Sequence, residues 1–290
     1  MKKPVLLMIV VSYVFLAGCN KTTIEDATYE NRPHFKIETE TATYFYDQAG
    51  GGLSRVIDKD GTDWVHYNGD PKAVVPSGAS GGYRGIPNMV FRGDDGGAGH
   101  PGFDQCISEK IDDQTIHTRS KSGKWEWTWK FFDDHAQLTV DKVDPDRTFW
   151  FLYEGPVAGS FEPEQKYWGT DLGGPRYESP SLNKGENIVG KWQWVYFGDK
   201  ATDRVFFAAQ HPKDTLNDFF AYMGNTKEGN SSPDGMIVFG FSRDAGTKAL
   251  ETKAGVKYTI GFLDRKITST EDHEWAGEKI GERTGGTNDE

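Results

Sequence analysis

From Phe35 onward, apolar and polar positions alternate with a period of two, the spacing that turns successive side chains to opposite faces of a β-strand. Phe35 and Ile37, residues 44–46 and residues 53–57 are separated by polar or glycine-rich breaks, and the turn 58–61 (Asp-Lys-Asp-Gly) leads to the aromatic stretch 64–67. This reads as strand, turn, strand, turn, strand. The alternation stops over 68–105, a glycine-rich stretch that reads as long loops, where binding residues tend to gather. It resumes at 115–119 and 124–131 and continues at 136–140, 148–154, 190–198, 204–210, 236–243 and 258–263. Many short strands joined by Asp/Gly turns predict an all-β, antiparallel β-sandwich. Residues 215–223 are the one stretch with a short helical reading. No internal repeat and no boundary between two domains is visible.

The strongest stripe in the pattern is Trp125, Trp127, Trp129 and Phe131, which share one strand face opposite Lys124, Glu126, Thr128 and Lys130. Such a face is expected to be core, with a sugar-stacking platform as the alternative; Trp192 and Trp194 repeat the pattern. The ends of the chain depart from it. Lys2 and Lys3 precede an apolar run from Val5 to Phe15, closed by Leu16-Ala17-Gly18-Cys19. The run is too short for a membrane span and reads as a secretory leader, residues 1–18. A cysteine directly after Leu-Ala-Gly looks like a bacterial lipobox, so Cys19 is the expected lipidation site. Residues 19–32 then read as a polar tether, 33–267 as the sandwich, and 268–290 as a charged, frayed tail.

Composition narrows the partners. The formal net charge is −11 over 290 residues, and loss of Lys2 and Lys3 with the leader makes the remainder more acidic still. That argues against nucleic acid or anionic lipid head groups. Only two cysteines occur, so a lipidated Cys19 leaves Cys106 without a disulfide partner. The membrane is then a partner through the lipid alone, at the cell envelope. No HExxH, CxxC or P-loop is present, which removes the usual zinc-protease, redox and nucleotide readings. Asp94 and Asp95 lack the alternating spacing of a calcium loop, and neither a metal nor a cofactor is expected.

Two loops carry candidate chemistry. Tyr83, Arg84 and Asn88 offer a phenol, a guanidinium and a carboxamide on one glycine-lined segment; Arg binds a carboxylate or sulfate bidentately. His100 follows on the same glycine-rich stretch, with an imidazole suited to proton transfer near neutral pH. Lys166, Tyr167, Trp168, Arg176 and Tyr177 form the second group, in which cations suit a sugar carboxylate, phenols a proton transfer and the indole a pyranose ring. The alternatives are a salt-bridged loop for the first and a self-packed Ω-loop for the second. His117, on an expected strand, is a further candidate binding residue.

Several blocks resemble a known group. "GGLSRVIDKDGTDWVHY" is similar to the first hairpin of galactose-mutarotase-like β-supersandwich proteins. "YRGIPNMVFRG", "GHPGFD", "FWFLYEGPVAGSFEPEQKYW", "VYFGD" and "MIVFGFSRD" resemble blocks of secreted polysaccharide-utilisation proteins of that fold, among them the oligosaccharide dehydratases of ulvan-degradation loci. The resemblance spans roughly residues 35–265. It implies a lyase acting on acidic oligosaccharides: elimination of water from a non-reducing-end uronic acid gives a 4,5-unsaturated sugar. His100 or Tyr167 is then the base or acid, with Arg84, Asn88 and Arg176 on the carboxylate. A polysaccharide lyase, a mutarotase-like epimerase or glycoside hydrolase (for which Glu154 could supply a carboxylate) and a non-catalytic glycan-binding lipoprotein stay open.

Overall fold

The protein is described from a computed structural model covering residues 22–67, 84–89, 97–155, 161–224, 235–246 and 248–285. Cys19 and Tyr83 lie outside the described residues.

Alternation of buried and exposed side chains builds two facing layers. One is a nine-stranded antiparallel sheet. Its centre is β14 (Val205–His211), β17 (Lys257–Leu263), β8 (His135–Lys142) and β7 (Glu126–Phe131). It extends on one side to β6 (Thr115–Ser120) and β5 (Cys106–Lys110), and on the other to β13 (Trp194–Asp199), β10 (Lys166–Thr170) and β11 (Gly173–Arg176). The other layer is two four-stranded sheets. One runs β1 (Thr23–Tyr29), β2 (Arg32–Glu38), β3 (Ala42–Asp47), β4 (Gly52–Asp58); the other runs β12 (Ile188–Gly190), β15 (Asp218–Met223), β16 (Met236–Phe241), β9 (Phe151–Gly155).

A short segment sews these two small sheets together. Leu53 and Ile86 exchange backbone hydrogen bonds at 2.7 and 3.2 Å, and Gly85 and Glu154 do so at 2.8 and 3.1 Å. A Cβ on Gly85 would stand 2.6 Å from Pro101 Cδ, so only glycine lets the three backbones approach this closely.

Between the layers lies an aromatic core. Trp125, Trp127, Trp129 and Phe131 are fully buried, as the stripe predicts, with Tyr44, Tyr46, Tyr153 and Phe206 facing them or nearby. Trp192 joins this core, whereas Trp194 is half-buried beside a second cluster. On the turn from β3 to β4, Gly51 (φ +76°) sits where a Cβ would meet Trp127 Cζ2 at 2.7 Å.

Four expectations are corrected. Residues 23–29, read as tether, pair along their length with β2 as an edge strand, and Ile24 enters the core. The stretch 64–67 is not a strand: Trp64 is pinned by its backbone N–H on Val56 O and by its indole N–H on Asp58. Residues 218–223 form β15 rather than a helix, because their alternate side chains Phe220 and Tyr222 are needed between the layers. The tail is a capped helix, α1 (Thr270–Thr284), with Ser269 accepting from Asp272 N at the start and Gly285 left-handed at the end. It buries Ala276 and Ile280 on the outer face of the nine-stranded sheet, against Tyr196, Phe207 and Leu263.

Candidate functional site

Phe151 and Tyr153 of β9 point into the core, so Leu152 and Glu154 face outward, away from the nine-stranded sheet. Glu154 is nevertheless only 6% exposed. The Asn88 amide donates to its Oε2 across the seam, and the guanidinium groups of Arg84 and Arg243 supply the positive potential around it. Burial pushes the Glu154 carboxyl up to about 7, against the pull of Arg243, Asn88 and Arg84 in the other direction. Its proton is therefore exchangeable near neutrality, as a general base requires.

The two arginines arrive from different places. Arg84 precedes the seam and donates from Nη2 to Gly235 O at 3.1 Å, tying the 84–89 segment to the start of β16. Arg243 follows β16 and lies over two rings, its Cζ 4.3 Å from the Phe219 centroid and 5.1 Å from that of Trp150. Both side chains are buried, and burial lowers the Arg243 guanidinium while Glu154 raises it. Arg84 and Arg243 thus place two buried guanidiniums beside the Glu154 carboxyl, groups whose forked donors suit a carboxylate or sulfate.

The structure places Arg84 and Asn88 beside Glu154, together with Arg243. His100 is close to this segment through its neighbour, since Pro101 packs on Gly85. Its Nδ1–H donates to Pro101 O at 2.7 Å, its ring meets Phe103 edge-on, and burial pushes the imidazole down to about 4. Burial thus holds the His100 imidazole neutral near pH 7.

The second expected group does not join the first. Residues 166–176 are the β10–β11 hairpin, not a loop. Tyr167 points outward beneath α1, its hydroxyl accepting from Ile267 N at 3.1 Å, and burial raises it to about 12. Glu154 faces out from the opposite layer, so a sandwich core about 10 Å thick separates the two. Trp168 is wholly buried between the layers, and Lys166 pairs with Asp199. Arg176 stacks 4.5 Å from the Trp168 centroid and pairs with Glu178, while Tyr177 is exposed. His117 projects from the outer face of β6 beside Thr128, Glu126 and Asp141. Among the described residues no three His, Cys, Asp or Glu side chains converge to hold a metal ion.

Arg243 was missed as a site residue, and Glu154 was weighed only as the carboxylate of an epimerase or hydrolase, because each ends an apolar strand block and reads there as strand punctuation. Their signal is weak: a lone charge closing a run of core residues.

No family model matches the chain, and no curated protein matches it in sequence. Solved structures do match in fold. A protein from Klebsiella pneumoniae described as a candidate aldose 1-epimerase aligns with a TM-score of 0.52 at 9% identity, covering 91% of this chain and 88% of its own. A protein designated HI1317 aligns at 0.51 and 13% identity, covering 84% and 100%. A galactose mutarotase-like protein from Lactobacillus casei aligns at 0.48 and 12% identity, covering 79% and 100%. At these identities the first two alignments show the fold alone, an antiparallel β-sandwich like that of the candidate aldose 1-epimerase.

Proposed function

We propose that the protein is a carbohydrate-active lyase that eliminates water from the non-reducing-end uronic acid of acidic, ulvan-type oligosaccharides. The observation that carries this reading is the buried Glu154, raised to about 7, between Asn88 and the guanidiniums of Arg84 and Arg243. Arg84 and Arg243 hold the substrate carboxylate and stabilise negative charge developing on it. Glu154 takes the C5 proton, made acidic by that neutralised carboxylate. The C5–H electron pair becomes the C4–C5 double bond, and the C4 hydroxyl leaves as water with the proton that Glu154 has taken. Asn88 holds the Glu154 carboxyl in place. Glu154 replaces His100 and Tyr167 as base in this scheme: burial makes the His100 imidazole a weak base with its Nδ1–H given to Pro101 O, and Tyr167 lies beneath α1.

The test is a panel of acidic oligosaccharides with purified protein. Ultraviolet absorbance reports the conjugated product, and mass spectrometry separates loss of water from cleavage of a glycosidic bond. No chromophore with any uronate-ended oligosaccharide refutes elimination. Anchoring of the mature chain by lipid on Cys19 belongs to the same proposal, resting on Leu16-Ala17-Gly18-Cys19 after an apolar run.

A further inference from the structure

Arg243 leaves β16 through an unusual bend. Ser242 has φ +57°, a left-handed conformation that costs a non-glycine residue energy and persists only where surroundings impose it. One side chain imposes it. Asp218, fully buried at the start of β15, accepts from Ser242 N at 2.9 Å with Oδ1 and from Trp192 N at 2.6 Å with Oδ2. The next residue, Phe219, supplies the ring on which the Arg243 guanidinium lies. Beyond the bend the chain doubles back, with Leu250 N on Ser242 O at 3.0 Å and Asp244 N on Lys248 O at 3.0 Å. Asp218 thus fixes the root of this turn while Phe219 supports the charged tip beside Glu154.

We propose that Asp218 is the positioning residue for Arg243: its carboxyl group, held by two backbone N–H donors, locks the Ser242 bend so that the guanidinium is delivered, preorganised, to the anionic group of the substrate. This rests on the reading of the site as an acidic-sugar site, and it adds a residue that touches no substrate. A preorganised cation loses little freedom on binding, so loosening the bend weakens anion recognition while leaving contacts to sugar hydroxyls in place.

The test uses Asp218→Asn, Arg243→Lys and the double variant, with glucuronate and its uncharged methyl ester as calorimetric probes and a crystal structure of Asp218→Asn. Asparagine keeps the shape, yet turns an N–H group toward one of the two backbone donors. The expected result is an Arg243 guanidinium displaced from the Phe219 ring and a loss of about tenfold in glucuronate affinity, the size of one charge-assisted hydrogen bond. Ester affinity should be unchanged, and the double variant should lose no more than Arg243→Lys alone, since both changes remove one interaction. If Asp218→Asn does not fold, Ser242→Gly frees the same backbone and should give the selective loss in milder form. Arg243 still seated on Phe219 with undiminished preference for glucuronate, or additive losses, overturns the proposal. A wild-type protein with no preference for glucuronate over its ester refutes the acidic-sugar reading instead, and the positioning claim is then decided by the crystal structure alone.

Discussion

Replacing Glu154 with glutamine should separate the carboxyl's cost in the fold from its use in catalysis. Burial raises the group from 4.5 to about 7. At 1.36 kcal/mol per unit, holding it ionised in the folded chain costs about 3 kcal/mol. The sign follows from proton uptake. Between 4.5 and about 7 the folded state binds the proton that the unfolded state has released, so this contribution is fully favourable below 4.5 and is lost as pH rises through 7. Glutamine mimics the protonated form. Urea unfolding of Glu154→Gln should therefore match wild type at pH 4.5 and exceed it by up to about 3 kcal/mol at pH 8.5. Wild-type kcat/KM should rise with pH through about 7 as the base ionises, and the variant should lose about 10²–10⁴ in rate. Equal stability differences at both pH values refute a raised Glu154. A variant that eliminates at near-wild-type rate refutes its role as base, whatever its stability.

Trp129→Ala opens the centre of the fully buried aromatic stripe and should cost about 3–5 kcal/mol in chemical unfolding; a loss below about 1 kcal/mol would mean the layers collapse onto the space. Tyr167→Phe removes one hydrogen bond beneath α1 and should cost about 1 kcal/mol without changing elimination, and a large rate loss would return Tyr167 to the site. Arg84→Lys should lower kcat/KM by about 10²–10³, because a point charge does not reproduce a planar fork; near-wild-type activity would remove Arg84 from the carboxylate. Cys19→Ala should release the mature chain from membranes, and continued membrane attachment would exclude the lipid anchor.

The sequence by itself determined the strand-forming stretches and the core. Period-two alternation puts Trp127, Trp129 and Phe131 on one face, and no arrangement of that stretch hides them except a strand against a second layer. It also singled out Arg84 and Asn88 as polar groups on a glycine-lined segment, and the structure buries both at the seam. Where the pattern is continuous it is ambiguous: the run Asp218 to Met223 is apolar at nearly every position, and only the pairing of Phe220 and Tyr222 with the opposite layer makes it a strand. The helix over 270–284 has too few apolar positions to announce itself and exists because Ala276 and Ile280 find Tyr196, Phe207 and Leu263 already exposed on a sheet. How the candidate site assembles was decided by the tertiary structure. Glu154, Asn88 and Arg243 are far apart in the chain and meet because the 85–86 seam and the Ser242 bend bring three backbones together. The raised Glu154 carboxyl comes from the burial and charge of that meeting, and neither is a property of a residue's neighbours in sequence.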